Sequence, residues 1–140
     1  MLNFKDFSDV LLENLTNFNG SYPDFIDYGP NLFNLLCDLL NQEEISSNER
    51  LIINAAIAYY VVPMDIIPEE IYGPYGYIDD IFITVYVLKK IANSRGYDFL
   101  QNLWKLDEDI IYVIDACYNG SLELLGDKIN DILIYVGLID

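Results

Sequence analysis

The 140-residue sequence contains no histidine, only seven lysine and arginine residues, and only two cysteines. Without histidine the chain has no imidazole acid or base, no Ser-His-Asp or Cys-His pair, and no zinc site with imidazole ligands. The few basic residues also argue against direct binding of nucleic acid, which requires clustered lysine and arginine. We therefore predict no catalytic residue and a protein that is not an enzyme.

The two cysteines, Cys37 and Cys117, are too far apart in the chain to form a metal-binding or redox motif. Each lies in a helical pattern, which predicts buried free thiols in a reducing compartment. Acidic residues interrupt the apolar pattern of residues 1–20, so we expect no signal peptide there. Together these features predict a cytoplasmic protein.

Long hydrophobic runs are also lacking. The longest uncharged stretch, residues 51–64, has 14 residues, and as a helix it would extend roughly 21 Å against a hydrocarbon layer of roughly 30 Å. We predict no transmembrane span. Residues 51–87 contain two apolar segments on either side of a bend. One hypothesis is therefore a hairpin that associates peripherally with a membrane.

What the sequence has in abundance is acidic and apolar residues. Aspartate and glutamate number 23, the net charge is −16, and 53% of residues are hydrophobic. This apolar content is enough for one core, and the length fits one domain over residues 1–140. A strongly acidic domain repels anions and is attracted to basic partners.

Apolar residues recur at three- and four-residue steps, which predicts an all-α bundle of five or six helices. We predict one helix over residues 4–18, one capped by Asn31, a central helix over residues 51–62, and one from Asp79 to Arg95. A fifth runs from Phe99 to Asn119-Gly120, and a last one begins at Ser121 and ends at Gly137. Ser46 and Glu49 have capping-box spacing, and Lys89, Lys90 and Arg95 are expected to be solvated.

A Pro/Gly-rich acidic bend separates the two central helices. It holds or borders Asp65, Glu69, Asp79 and Asp80, with no basic residue between Leu51 and Leu88. These acids have three possible roles: capping helix termini, with Arg50 or Lys89 as ion-pair partners; binding Mg²⁺, Mn²⁺ or Ca²⁺; or forming an acidic docking edge. The sequence leaves all three open.

Aromatic residues are concentrated on the same bend. Tyr72, Tyr75 and Tyr77 lie near Glu70 between prolines and glycines. They form a candidate contact surface for a partner protein, or they pack the bend onto the core.

The bend resembles the YkvA-like family of small bacterial and archaeal proteins of unknown function. The resemblance covers residues 51–92, and it is carried by Tyr59, Pro63, Asp65, Ile67, Pro68, Glu69, Gly76, Tyr77, Asp79 and Asp80. Glu69 stands where the family has aspartate. The resemblance implies a helical hairpin with acids at its bend, and it implies no reaction, substrate or cofactor.

We therefore predict a non-enzymatic acidic protein that binds a basic surface of a partner, as an inhibitor, an antitoxin- or immunity-like partner, or an accessory subunit. A divalent-cation site at Asp65, Glu69, Asp79 and Asp80, with or without catalysis, is the second hypothesis. The peripheral membrane hairpin is the third.

Overall fold

The structure, a computed structural model, describes residues 24–61 and 78–138. A short 3₁₀ turn at Asp24–Tyr28 leads into α1 (Gly29–Leu40), α2 (Ser47–Val61), α3 (Ile78–Arg95) and α4 (Tyr97–Leu103). Then follow α5 (Ile110–Leu125), a 3₁₀ turn at Gly126–Lys128, and α6 (Ile129–Tyr135). Every regular element in these two ranges is helical, which confirms the all-α fold. The helix predicted over residues 4–18 and the Pro/Gly bend lie outside the described residues.

Helix α1 begins earlier than the sequence predicts. Pro30 falls in its first turn, where the N–H that proline lacks has no helical partner in any case. Asn31 is therefore inside the helix and is not its cap. The predicted apolar face is confirmed for Leu32, Leu35, Leu36 and Leu39, which are buried, whereas Leu40 at the end of the helix is only partly buried.

Helix α2 begins with the predicted capping box. The Ser46 backbone N–H donates to Glu49 Oε1 at 2.9 Å, and the Glu49 N–H donates to Ser46 Oγ at 3.2 Å. Arg50, one turn further, donates to the carbonyl oxygens of Leu40 and Gln42 at the end of α1. The connection between α1 and α2 is thus closed by hydrogen bonds at both of its ends.

Helix α3 is the centre of the bundle. Its apolar side chains are buried on every side, and it contacts α1, α2, α4, α5 and α6. The sequence predicts this position for the helix over residues 51–62, and that prediction is wrong. Leu51 on α2 is 70% exposed, so α2 has a solvent side in spite of its apolar sequence.

The helix predicted from Phe99 to Asn119-Gly120 is interrupted between α4 and α5. Trp104 has an extended backbone after α4. Asp109 then caps α5 by accepting the Ile111 N–H at 2.9 Å, and Gln101 Oε1 accepts the Ile110 N–H at 2.7 Å. These two side chains satisfy donors that a continuous helix would have bonded internally, and they make the break stable.

The end of α5 also differs from the prediction. The helix continues through Gly120 and Ser121 to Leu125, and it ends at Gly126, whose φ is +51°. Ser121 is buried inside the helix and caps nothing. Gly120 is required by packing, because a Cβ there would lie 2.5 Å from Cε1 of Phe25. The predicted end of the last helix at Gly137 is confirmed, because this glycine has a φ of +79°.

An ion pair joins the end of α3 to the start of α2. Arg95 forms a bidentate pair with Glu49: Nε donates to Oε2 and Nη2 donates to Oε1, both at 2.7 Å. Arg95 was predicted to be solvated, but its side chain is only 23% exposed. Lys89 pairs with Asp115 at 3.6 Å and lies over the Tyr118 ring, so it too has partners on α5.

This ion pair predicts a pH dependence of stability. The hydrogen bonds from Arg95 lower the pKa of Glu49 from 4.5 to about 2, against the opposing effect of burial. Because the pKa is lower in the folded state, the stabilisation is complete above pH 4.5 and is lost as the pH falls toward 2. As the pH is lowered from 4.5 to 2, the unfolding free energy of wild type should fall by about 1–2 kcal/mol more than that of Glu49→Gln, after allowance for solvent screening.

Urea unfolding at a series of pH values measures this difference, with the exposed Glu43→Gln as the matched control. Glu43→Gln should follow the wild-type pH profile. Parallel profiles for wild type and Glu49→Gln would show that the ion pair adds nothing.

Candidate functional site

The two acids at the start of α3, Asp79 and Asp80, are both buried, with exposures of 0% and 1%. They lie in the first helical turn, where the helix dipole is positive and stabilises negative charge. Asp79 Oδ1 also accepts the Asp80 backbone N–H at 3.0 Å. The start of α3 is therefore an environment that partly offsets the cost of burying a carboxylate.

Tyr59 of α2 contacts this site through a short hydrogen bond. Its hydroxyl donates to Asp79 Oδ2 at 2.7 Å, and its side chain is 2% exposed. The bond crosses from α2 to α3 and joins residues 20 positions apart. The Tyr59 ring also meets Tyr135 of α6 edge-on, with ring centroids 5.8 Å apart. One tyrosine thus connects the hairpin to the last helix.

This bond gives a physical reason for the spacing of the motif. Tyr59 belongs to its first half and Asp79 to its second half, and the fold brings the two together through a short hydrogen bond to a buried carboxyl oxygen. Thr84, one turn into α3, donates to the Asp80 carbonyl oxygen at 2.9 Å. The motif residues that the structure describes therefore bond to one another within the core.

The predicted cation ligands divide into two groups. Asp65 and Glu69 lie outside the described residues, whereas Asp79 and Asp80 are adjacent on one helix. Side chains at neighbouring helix positions do not face each other, so these two acids alone make a poor ligand pair. Within residues 24–61 and 78–138 no three Asp, Glu or Cys side chains group closely enough to hold an ion. The cation site stays a prediction.

The predicted partner-binding residues of the bend also lie outside the described residues: Glu70, Tyr72, Tyr75 and Tyr77. The described part of the chain instead presents a second acidic region, which we call the acidic surface. It consists of the acids within residues 97–138, and all of them are exposed: Asp98, Asp107, Glu108, Asp109, Asp115, Glu123, Asp127 and Asp131. Lys105 and Lys128 are the basic residues of that range.

Large apolar side chains are exposed among these acids. Tyr112 and Ile111 lie on the solvent side of α5, with Leu124 near its end, and Ile134 and Tyr135 lie on α6. The sequence shows that this region is acidic, but it does not show which of its apolar residues are exposed. The signal that separates them is the register of α5, in which Ile111, Tyr112 and Asp115 share one face while Val113, Ile114 and Cys117 are buried.

The predicted buried free thiols are confirmed. Cys37 and Cys117 are both free and buried. Burial raises the pKa of the Cys117 thiol to about 12, so this sulfur is protonated and unreactive at neutral pH.

None of the helices within the described ranges combines the length and the apolar character needed to cross a membrane.

The Tyr59–Asp79 bond of α2 and α3 lies within the segment that a family model matches. Residues 49–86 match the family described as "Protein of unknown function (DUF1232)". The chain is also 37% identical over 126 residues to "Uncharacterized protein ORF9" of Methanothermobacter thermautotrophicus, covering 90% of this chain and 86% of that protein. The chain belongs to this family of proteins of unknown function, which confirms the resemblance seen in the motif. No solved structure matches it.

Proposed function

We propose that this protein is a non-enzymatic interaction protein that binds a basic surface of a partner protein through the acidic surface of residues 97–138. The observation that carries the proposal is that all eight acids of this range are exposed, whereas the range contains only two lysines. Lys89 of α3 pairs with Asp115 at 3.6 Å, and Lys105 lies 3.8 Å from Asp38 of α1, so the surface keeps a large excess of negative charge. A field of one sign accelerates encounter with a partner of opposite charge.

The exposed apolar residues supply what charge alone does not. Tyr112 is 63% exposed and Tyr135 is 55% exposed, and both are next to acids in the helical register. Aromatic side chains that become buried in an interface contribute much of its affinity, whereas rim charges contribute association rate and specificity. A surface with both features suits a basic partner that has an apolar pocket. An inhibitor, an antitoxin- or immunity-like partner, and an accessory subunit all fit this description.

The test compares two charge-neutralised variants. The first replaces acids of the acidic surface, Glu123→Gln, Asp127→Asn and Asp131→Asn. The matched control replaces exposed acids elsewhere, Asp24→Asn, Glu43→Gln and Glu44→Gln, so both variants have the same net charge. Wild type is used as bait in a lysate of the source cells, and the basic proteins that it retains are purified for measurement of their affinity for all three chains.

We expect the surface variant to bind the retained basic protein on the order of tenfold more weakly than wild type, because three favourable charges are lost at the contact. Affinity should also fall steeply as salt rises. Equal weakening in the control variant, or an affinity independent of salt, would contradict a role for this surface.

A further inference from the structure

A continuous groove lies between α2 and the residues at and after the end of α6. Two adjoining hollows make up the groove, and both have Ala55 and Val136 in their walls. Leu51 lines one hollow, and Ala58 lines the other. Because Leu51 and Ala58 are seven positions apart, the groove follows α2 for about two helical turns.

This groove is uncharged, although the protein is strongly acidic. The described residues that line it include no aspartate, glutamate, lysine or arginine, whereas the whole chain has a net charge of −16. The exposed side chains of α2 between residues 47 and 59 are uncharged as well: Ser47, Asn48, Leu51, Asn54 and Ala58. This face gives a basic partner no charge to pair with. Two copies of the chain can approach each other here with less repulsion than at the acidic surface.

The exposed face of α2 is also complementary to itself in shape. Leu51 protrudes and is 70% exposed, whereas Ala55 and Ala58 are small. These three residues follow one another at steps of four and three positions, so they lie on one helical face. If a second α2 runs antiparallel, with a two-fold axis between residues 54 and 55, position 51 of each helix lies opposite position 58 of the other. In such a symmetric contact a protruding leucine meets a hollow at both ends.

We propose that two copies of this chain associate through the groove, with their α2 helices antiparallel about this two-fold axis. Leu51 of each copy enters the part of the other copy's groove that Ala55, Ala58 and Val136 line. The small side chains in the middle of the contact allow the two helices to approach closely. The inference does not rest on the acidic surface, because none of its eight acids lines the groove.

Sedimentation equilibrium of the full chain measures this association. We expect a reversible dimer with a dissociation constant below about 1 mM. The dissociation constant should be at least about threefold lower in about 0.5 M NaCl than in about 0.05 M NaCl, because salt screens the repulsion between the two acidic copies. Binding of a basic partner to the acidic surface should instead weaken as salt rises. Failure of one proposal is therefore distinguishable from failure of the other.

Two variants test the contact itself without changing the net charge. Leu51→Ser removes the protruding side chain, and it should raise the dissociation constant at least about tenfold, because each substitution acts twice in a two-fold contact. Ala58→Gln fills the hollow that receives Leu51 and should have the same effect. Both positions are exposed, so the variants should keep the wild-type circular dichroism spectrum. Leu124→Ser, an exposed leucine on α5, is the matched control and should leave the association unchanged.

Three results would overturn the proposal. The first is a wild-type chain that stays monomeric at about 1 mM in both salt concentrations, which would leave the groove to another segment of this chain or to a different partner. The second is an association that weakens as salt is added. The third is an association that Leu51→Ser and Ala58→Gln leave intact, or that Leu124→Ser weakens as much as they do.

Discussion

Replacing Tyr59 by phenylalanine should lower the free energy of unfolding by about 1–3 kcal/mol, because a buried carboxyl oxygen of Asp79 loses the hydrogen bond that the hydroxyl donates. The ring and its packing against Tyr135 remain in Tyr59→Phe, so the loss reports the hydrogen bond to Asp79. What is left behind is a carboxylate that is 0% exposed and has lost its partner from α2.

Urea unfolding followed by circular dichroism measures this loss, and Tyr112→Phe is its matched control. Tyr112 is 63% exposed, so its substitution should change stability by less than about 0.5 kcal/mol. A wild-type stability for Tyr59→Phe would mean that the bond between the two motif halves contributes nothing to the fold.

Gly120→Leu should lower the free energy of unfolding by about 2–3 kcal/mol, because the added side chain has to displace a ring that already occupies the space. A Cβ at Gly120 would lie 2.5 Å from Phe25 Cε1 and 2.6 Å from Phe25 Cδ1. Intrinsic helix propensity acts in the opposite direction, since glycine in a helix is about 1 kcal/mol worse than alanine.

The exposed neighbour provides the control for this position. Asn119→Leu changes the adjacent residue of the same helix and should leave stability unchanged or slightly higher. In a Phe25→Ala background the penalty of Gly120→Leu should shrink, because the ring is gone. A more stable Gly120→Leu protein would show that Phe25 moves aside without cost.

Local features of the fold were predictable from the sequence because their partners are close in the chain. The capping box depends on Ser46 and Glu49, three positions apart, and the buried face of α1 depends on leucines at helical spacing. The final stop depends on one glycine, Gly137, with positive φ. In each case the residues that decide the structure lie within one or two turns.

The errors arose where the spacing of apolar residues does not decide the structure. Gly120 has the pattern of a helix stop, yet it lies inside α5 because Phe25 packs against it from the start of the described chain. The break after Leu103 was missed because apolar spacing continues across it, while the bonds that stabilise it come from Gln101 and Asp109. Local spacing could not show either arrangement.

The candidate site was predictable only in part, for the same reason. The motif marked Tyr59 and Asp79 separately, but only the fold shows that their side chains are bonded. The exposed acids of residues 97–138 were visible in the sequence, whereas the exposure of Tyr112 and Tyr135 depends on which face of α5 and α6 packs inward.

A double-mutant cycle tests most directly whether the buried acid of the hairpin has a structural role. The measurement compares Tyr59→Phe, Asp79→Leu and the double variant by urea unfolding. Asp79→Leu alone leaves the Tyr59 hydroxyl buried without its acceptor, whereas the double variant replaces the whole polar pair with apolar groups. The structure predicts that the unfolding free energy of the double variant is at least about 1 kcal/mol higher than the value obtained by adding the losses of the two single variants. Strictly additive losses would contradict it, because two side chains that do not interact cannot hold α2 against α3.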